Sequence, residues 1–312
     1  MGEGPRWDRE GRDWPNREAS CFPVEAGLRW HLQVMGQGPR LLLVHGTGAA
    51  THSWRGLAPL LAEHFEVLAP DLPGHGFTAA PPAADLSLPG MARALGGLLR
   101  RLGKAPELVV GHSAGAAILA RMCLDRLITP RALISLNGAL LPLRGMPGHF
   151  FAPAARLAAA TPLLPRFFAW RAAAPGAVER LVHSTGSTLD TAGIELYRRL
   201  VTNSGHVGAA LTMMAKWDLA ALQRDLSHLR SPLYLVVGDR DWTVPPSDAE
   251  RVRQLLPQAQ IITLAKLGHL AHEERPAELA ALIRRLAAEA GVGTEPDLSP
   301  DATPAGTLAA EQ

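Results

Sequence analysis

The chain has 312 residues, 47% hydrophobic and 19% charged, with a formal net charge of +2. That length fits one large α/β domain carrying an insertion, enough to hide about 75% of the unfolded chain's surface. The near-balanced charge and the lack of a Lys/Arg run exclude a surface that tracks nucleic acid, and no stretch reaches the roughly 20 apolar residues that span a bilayer.

Residues 1–24 read as a polar N-terminal arm without the apolar core of a secretory signal, so a cytoplasmic location is expected. Cys21 and Cys123 imply no disulfide framework, and Cys123 sits in an apolar pattern that fits a small buried residue. Residues 28–34 alternate as a half-buried strand. Residues 40–44 form a continuous apolar run ending in His45-Gly46, the pattern of a strand buried on both faces. A helix is predicted from about Trp54 to Glu63, a strand over 65–69, and a helix over 88–102 with Leu95, Leu98, Leu99 and Leu102 at helical spacing. Residues 108–110 form a strand leading into Gly111-His112-Ser113, followed by a helix from Ala114 to about Leu127 and a strand over 132–136.

The alternation then pauses. Residues 138–226 are rich in Ala, Pro, Arg and aromatic residues, with helical stretches and no clear strand. It resumes with a strand over 233–237, a helix from about Pro246 to Leu256, a strand over 261–264 and a helix from about Ala277 to Ala290. The pattern predicts an α/β fold: a mostly parallel central sheet with helices on both faces and an inserted helical cap. The core takes residues 25–137 and 227–290, the cap 138–226, and the Gly/Pro-rich tail 291–312 reads as disordered.

The chemistry centres on Gly111-His112-Ser113-Ala114-Gly115. Gly-x-Ser-x-Gly between a strand and a helix is the setting of a nucleophile turn. The chain must reverse sharply there, and glycines at both ends remove side chains that would strike the neighbouring strand and helix. The Ala114 N–H falls at a helix N-terminus, where unpaired donors favour an oxyanion.

A serine hydroxyl needs a base, and the base needs an orienting acid. Both follow in the chain order Ser, Asp, His expected of this turn. Asp241 is assigned as the acid because it lies three residues beyond Gly238, far enough out of its strand to reach across. Asp239 is the alternative, expected instead to pair with Arg240 or cap the turn. His269, after Gly268, is assigned as the base; His272 is expected to point elsewhere, beside the site or into solvent. The loop His45-Gly46-Thr47-Gly48, closed by Trp54, is assigned a second oxyanion donor, the Thr47 N–H. His45 and His75 are read as loop braces. No metal site and no cofactor is expected.

These motifs resemble the α/β-hydrolase superfamily over roughly residues 25–290. The segment DWPNREAS at 13–20, with HGTGAATHSW, DLPGHGFT, GHSAGAAILARM, SLNGAL, MMAKWDL and LGHLAHEERP, resembles the magnesium-chelatase accessory proteins of bacteriochlorophyll biosynthesis. That resemblance implies a role near magnesium insertion into protoporphyrin IX, with a tetrapyrrole and magnesium-chelatase subunits as expected partners. It supplies no reaction.

The cap carries Phe150, Phe151, Phe167, Phe168, Trp170, Met213, Met214 and Trp217, interspersed with Arg144, Arg156, Arg166 and Arg171. Three readings stand. These residues pack the cap on the core; with Trp54, some of them receive a flat, apolar, carboxylate-bearing substrate; or the stretch from Phe150 to Arg171 makes peripheral membrane contact. The function read from the sequence is a Ser-His-Asp hydrolase of a small-molecule, ester-like or tetrapyrrole-related substrate. The alternative is a non-catalytic accessory protein. Carbon–carbon bond hydrolysis and perhydrolysis use the same three residues, whereas haloalkane dehalogenation needs a carboxylate where Ser113 stands.

Overall fold

The computed structural model describes residues 3–142 and 163–293. A short helix α1 (Trp7–Glu10) leads to strands β1 (Ser20–Cys21), β2 (Val24–Glu25), β3 (Leu28–Arg29), β4 (Leu32–Met35) and β5 (Arg40–Val44). There follow α2 (Leu57–Ala62), β6 (Glu66–Pro70), α3 (Leu88–Leu102), β7 (Leu108–His112), α4 (Ala114–Leu124) and β8 (Ala132–Leu136). Helices α5 (Leu163–Ala172), α6 (Ala177–His183), α7 (Thr191–Val201), α8 (Ser204–Lys216) and α9 (Leu219–Asp225) come before the next strand. The chain ends with β9 (Leu233–Gly238), α10 (Ser247–Leu255), β10 (Gln260–Leu264), α11 (Ala271–Glu274) and α12 (Pro276–Glu289).

Eight strands form one sheet in the order β1-β4-β6-β5-β7-β8-β9-β10. The pairings β1–β4 and β4–β6 are antiparallel and the others parallel. Period-2 alternation divides the strand side chains between two cores. Leu42, Val44, Val109 and Leu133 pack with α3, α4 and α10 on one face. Leu41, Leu43, Val110 and Ile134 pack with α2 and α12 on the other. Both faces are covered, so the central strands read as unbroken apolar runs. Helix α3 shows the local signals clearly: Ser87 accepts the Gly90 N–H as N-cap, and Gly103 ends the helix in the left-handed conformation.

The strand expected over 28–34 is interrupted. The Trp30 N–H donates to the Pro23 carbonyl and the His31 N–H to Thr78 Oγ1, both at 2.9 Å, so neither joins the main ladder. The buried His31 ring is drawn instead to Asp71, with Nδ1 2.6 Å from its carboxylate. Trp14, in the N-terminal arm, is buried and donates its indole N–H to Thr51 Oγ1 at 2.9 Å. Among the described residues no helix is long and apolar enough to cross a membrane. Of the cap residues named above, Phe150, Phe151, Arg144 and Arg156 lie outside the described residues, as does most of the tail, 294–312.

Candidate active site

Parallel strands that all end on one side bring their following loops together there. At that end, β7 stops at His112 and α4 starts at Ala114, leaving Ser113 alone to make the reversal at φ 50 and ψ −116. A non-glycine residue at positive φ costs of order 1–3 kcal/mol and persists only where its surroundings enforce it. Here the enforcement is visible. The Ser113 N–H donates to the Leu136 carbonyl at 3.0 Å, and its carbonyl accepts the N–H groups of Ala116 and Ala139. A Cβ on Gly115 would collide with the Val44 and His45 carbonyls, and one on Gly111 with the Ala116 backbone. Both glycines are therefore dictated by close approach.

Asp241 and His269 meet across two loops 28 residues apart, with His269 Nδ1 2.7 Å from Asp241 Oδ2. Both are buried. Asp241 Oδ1 accepts the N–H groups of Thr243 and Val244, each at 2.8 Å, which fixes the carboxylate plane. An acceptor at Nδ1 places the His269 proton there and leaves Nε2 as the free lone pair. The backbone of His269 is held as firmly. Its carbonyl accepts from His112 Nε2 and from Asn137 Nδ2, both at 2.9 Å. His112 directly precedes Ser113, so the serine turn and the histidine loop are joined at adjacent residues. Asp239 faces away: its Oδ1 accepts the Lys266 N–H at 2.7 Å and closes the turn after β10.

Thr47 lies beside the serine turn. A Cβ on its neighbour Gly46 would come within 3.0 Å of Ser113 Cβ. The Ala114 N–H is a first-turn donor that helix geometry leaves without an intrahelical acceptor. Buried His45 accepts the Leu72 N–H at Nε2 (2.9 Å) and donates from Nδ1 to the Gly46 carbonyl (2.8 Å), bracing this loop. Burial keeps its ring neutral, lowering its pKa below the usual histidine value.

A second buried polar cluster surrounds His272, which is not solvated as one expectation had it. Its Nε2 lies 2.7 Å from Ser53 Oγ, and Ser53 donates to Glu273 Oε1 at 2.8 Å. The Tyr197 hydroxyl donates to the same oxygen at 2.7 Å. Burial pushes Glu273 up to about 7, against the lowering effect of those two donors, and holds His272 down at about 3. The His272 ring packs on His112 with centroids 4.4 Å apart, and His112 on His269 at 4.7 Å. Ser53 stands between acid and imidazole with its hydroxyl already committed, which distinguishes it from Ser113.

Asp241 and His269 thus pair directly, and His112 and Gly46 bring the histidine loop and the Thr47 loop beside the serine turn, whereas the residues proposed for substrate contact scatter. Trp54 is fully buried in the core with Leu57, Leu61 and Leu279 and stacks on His272 at 4.7 Å, so it does not face a substrate. Its place is set by helices α2 and α12, which close over the loop. Met213 is buried and receives the Thr47 hydroxyl at its sulfur, 3.7 Å away. Trp217 packs partly buried against the core. Trp170 and Met214 are exposed, at 69% and 45%, as are Phe167 and Phe168. Sequence reasoning missed Asn137, which has φ 46 and whose side chain also accepts the Gly238 N–H at 2.8 Å, tying the ends of β8 and β9 to the histidine loop. An Asn directly after a buried strand, where only a short polar side chain tolerates positive φ, was the available signal.

A strained serine between parallel strand and helix, with a paired aspartate and histidine on later strand loops, is the architecture of an α/β-hydrolase fold. The chain belongs to the alpha/beta hydrolase family, whose family model matches residues 41–282. Among curated proteins it is similar to the magnesium-chelatase 30 kDa subunit of Rhodobacter capsulatus, with 36% identity over 279 residues, 87% of this chain and 95% of that one. Among solved structures it is similar to an alpha/beta hydrolase fold protein from Burkholderia ambifaria, at a TM-score of 0.71 and 23% identity, covering 85% and 97% of the two chains. It is also similar to a thermophilic esterase from Thermogutta terrifontis, at 0.70 and 22%, covering 87% and 98%.

Proposed function

We propose that this chain is a serine hydrolase that acts on an ester-like, tetrapyrrole-related substrate beside magnesium chelatase in bacteriochlorophyll biosynthesis. The observation that carries the chemistry is the buried Asp241–His269 pair at 2.7 Å, tied through His112 to the strained Ser113. In this reading Ser113 Oγ attacks the carbonyl carbon while His269 Nε2 takes its proton. The Thr47 and Ala114 N–H groups hold the oxyanion. The intermediate collapses, the leaving alcohol takes the proton from His269, and an acyl-enzyme remains. Water, deprotonated by His269, then releases the acid and restores Ser113.

The pathway assignment is supported by similarity to the Rhodobacter capsulatus chelatase subunit. The exposed Phe167, Phe168 and Trp170, with Arg166 and Arg171 beside them in sequence, suit an amphiphilic ring bearing carboxylates or an anionic lipid surface. The subunit name of that relative favours a second reading, an accessory protein that contacts the chelatase without cutting a bond.

Complementation separates the two. In a strain deleted for this gene, the wild-type chain restores pigment. The hydrolase reading predicts that Ser113→Ala restores none and that an uncleaved tetrapyrrole intermediate accumulates. Full restoration by Ser113→Ala would establish the accessory role.

A further inference from the structure

The helices between β8 and β9 do more than lie over the site. After α6, the Thr185 carbonyl accepts the His269 N–H at 3.2 Å and the Trp242 N–H at 3.3 Å. Buried Ser187 accepts the Leu270 N–H at 2.8 Å. Gly186, at φ 82, fits against the Arg240 carbonyl with no room for a Cβ. These contacts hold the acid and base loops. The oxyanion loop has its own anchor from the same insertion, in the first turn of α8. There His206, 1% exposed, accepts the Gly76 N–H at Nδ1 (3.1 Å). That bond settles the tautomer: Nε2 carries the proton and donates it to the Gly48 carbonyl at 3.0 Å.

Gly48 directly follows Thr47 and sits at φ 77. A loop reading Gly46-Thr47-Gly48 has little intrinsic stiffness, because its glycines reach conformations closed to other residues. An oxyanion donor works only if it is aimed before the charge develops. We propose that His206 is a positioning residue for the oxyanion hole, locking the Gly48 carbonyl so that the Thr47 N–H stays aimed at the oxyanion. The proposal rests on the hydrolase reading of Ser113. It makes the inserted helices part of the reaction centre's frame. Met213, two turns along α8, touches the Thr47 side chain from the same direction.

The test compares His206→Leu, which removes both bonds, with His206→Gln, whose amide supplies one acceptor and one donor at similar reach. With p-nitrophenyl acetate, His206→Leu lowers kcat about 30- to 300-fold, somewhat less than the roughly 10²- to 10³-fold cost of removing an oxyanion donor outright. KM stays within about threefold, and the pH profile keeps its acid limb because Asp241 and His269 are untouched. His206→Gln recovers kcat to within about tenfold of wild type on the same reasoning. His206→Asn, polar but too short to span both partners, repeats the loss and serves if the Leu variant does not fold. A kcat for Leu and Asn within about threefold of wild type overturns the proposal; so does an equal loss in Gln.

Hydrogen exchange of residues 45–50 reads the positioning without any turnover. The Leu or Asn variant exchanges faster there than wild type, and Gln does not. Unchanged exchange in both variants overturns the anchor even if the protein proves not to be an esterase. Faster exchange in a protein whose wild type turns over no ester retains the anchor and refutes the hydrolase reading alone.

Discussion

Asp241→Asn lowers kcat for ester hydrolysis by about 10⁴-fold while leaving the fold intact, and Asp239→Asn leaves kcat within about threefold of wild type. The asymmetry follows from hydrogen-bond direction. The oxygen of residue 241 that faces Thr243 and Val244 receives two backbone N–H groups, so an asparagine must place its carbonyl there. Its NH₂ then faces His269 Nδ1, which can only respond as an acceptor. The imidazole proton moves to Nε2, and the base loses the lone pair that would take the Ser113 proton. Asp239 accepts one backbone N–H, from Lys266, and asparagine can do the same. Steady-state kinetics with a p-nitrophenyl ester, alongside circular dichroism of each variant, measure both. Equal effects at the two positions would mean that the wrong carboxylate had been assigned.

The chain unfolds cooperatively on mild acidification, with a midpoint above pH 4, because it buries neutral imidazoles. Burial lowers His52 and His272 to about 3 and His206 to about 4. It also holds His75 and His112 well below 6.5. A group whose folded pKa is depressed contributes stability that is complete above its unfolded pKa, here near 6.5, and is lost as pH falls toward the folded value. In that window the unfolded chain binds more protons than the native one. Glu273, raised to about 7, acts in the opposite sense between about 4.5 and 7, since its native form holds the extra proton.

Three histidine protons less one glutamate proton leave a net uptake of about two, or roughly 3 kcal/mol per pH unit near pH 5.5. His75 and His112 add to this slope. Two pH units then remove about 6 kcal/mol, comparable to the whole stability at the low end of the typical range of about 5–15 kcal/mol. Thermal melts at half-unit intervals from pH 7.5 to 4 read the slope directly. His52, with neither ring nitrogen bonded among the described residues, is the most direct check. His52→Leu reduces the slope by about one proton, roughly 1.4 kcal/mol per pH unit. A melting temperature independent of pH between 7 and 4 would contradict the account.

The parts of this molecule readable from sequence are those whose cause is local. Gly111 and Gly115 flank Ser113 because backbone atoms four or five residues away, or at the end of the adjacent β5, leave no space for a Cβ. Helix α3 begins at a serine cap and ends at a left-handed glycine, and its span was legible to the residue. The 28–34 strand was misread because its alternation is genuine, while the interruption comes from Pro23 and from Thr78, 47 residues beyond His31, which take the Trp30 and His31 N–H groups. Trp54 was misplaced for a similar reason. It follows the Gly46-Thr47-Gly48 loop, but α12, more than 200 residues later, covers it. The cluster of Ser53, Tyr197, His272 and Glu273 joins three distant segments, and each residue alone looks like an ordinary loop or helix position. The same holds for His206 and Gly48, 158 residues apart. Polar contacts of this kind carry no periodicity, so they emerge only once the sheet has brought the segments together.

The measurement that bears most directly on Ser113 is its reaction with a fluorophosphonate, read by mass spectrometry on the tryptic peptide 105–121. That peptide contains one hydroxyl-bearing side chain, Ser113. The account predicts one adduct per chain on Ser113, no adduct in Ser113→Ala, and strongly slowed labelling in Asp241→Asn. A wild-type chain that remains unlabelled, or that labels equally well once Ser113 is replaced, would contradict it.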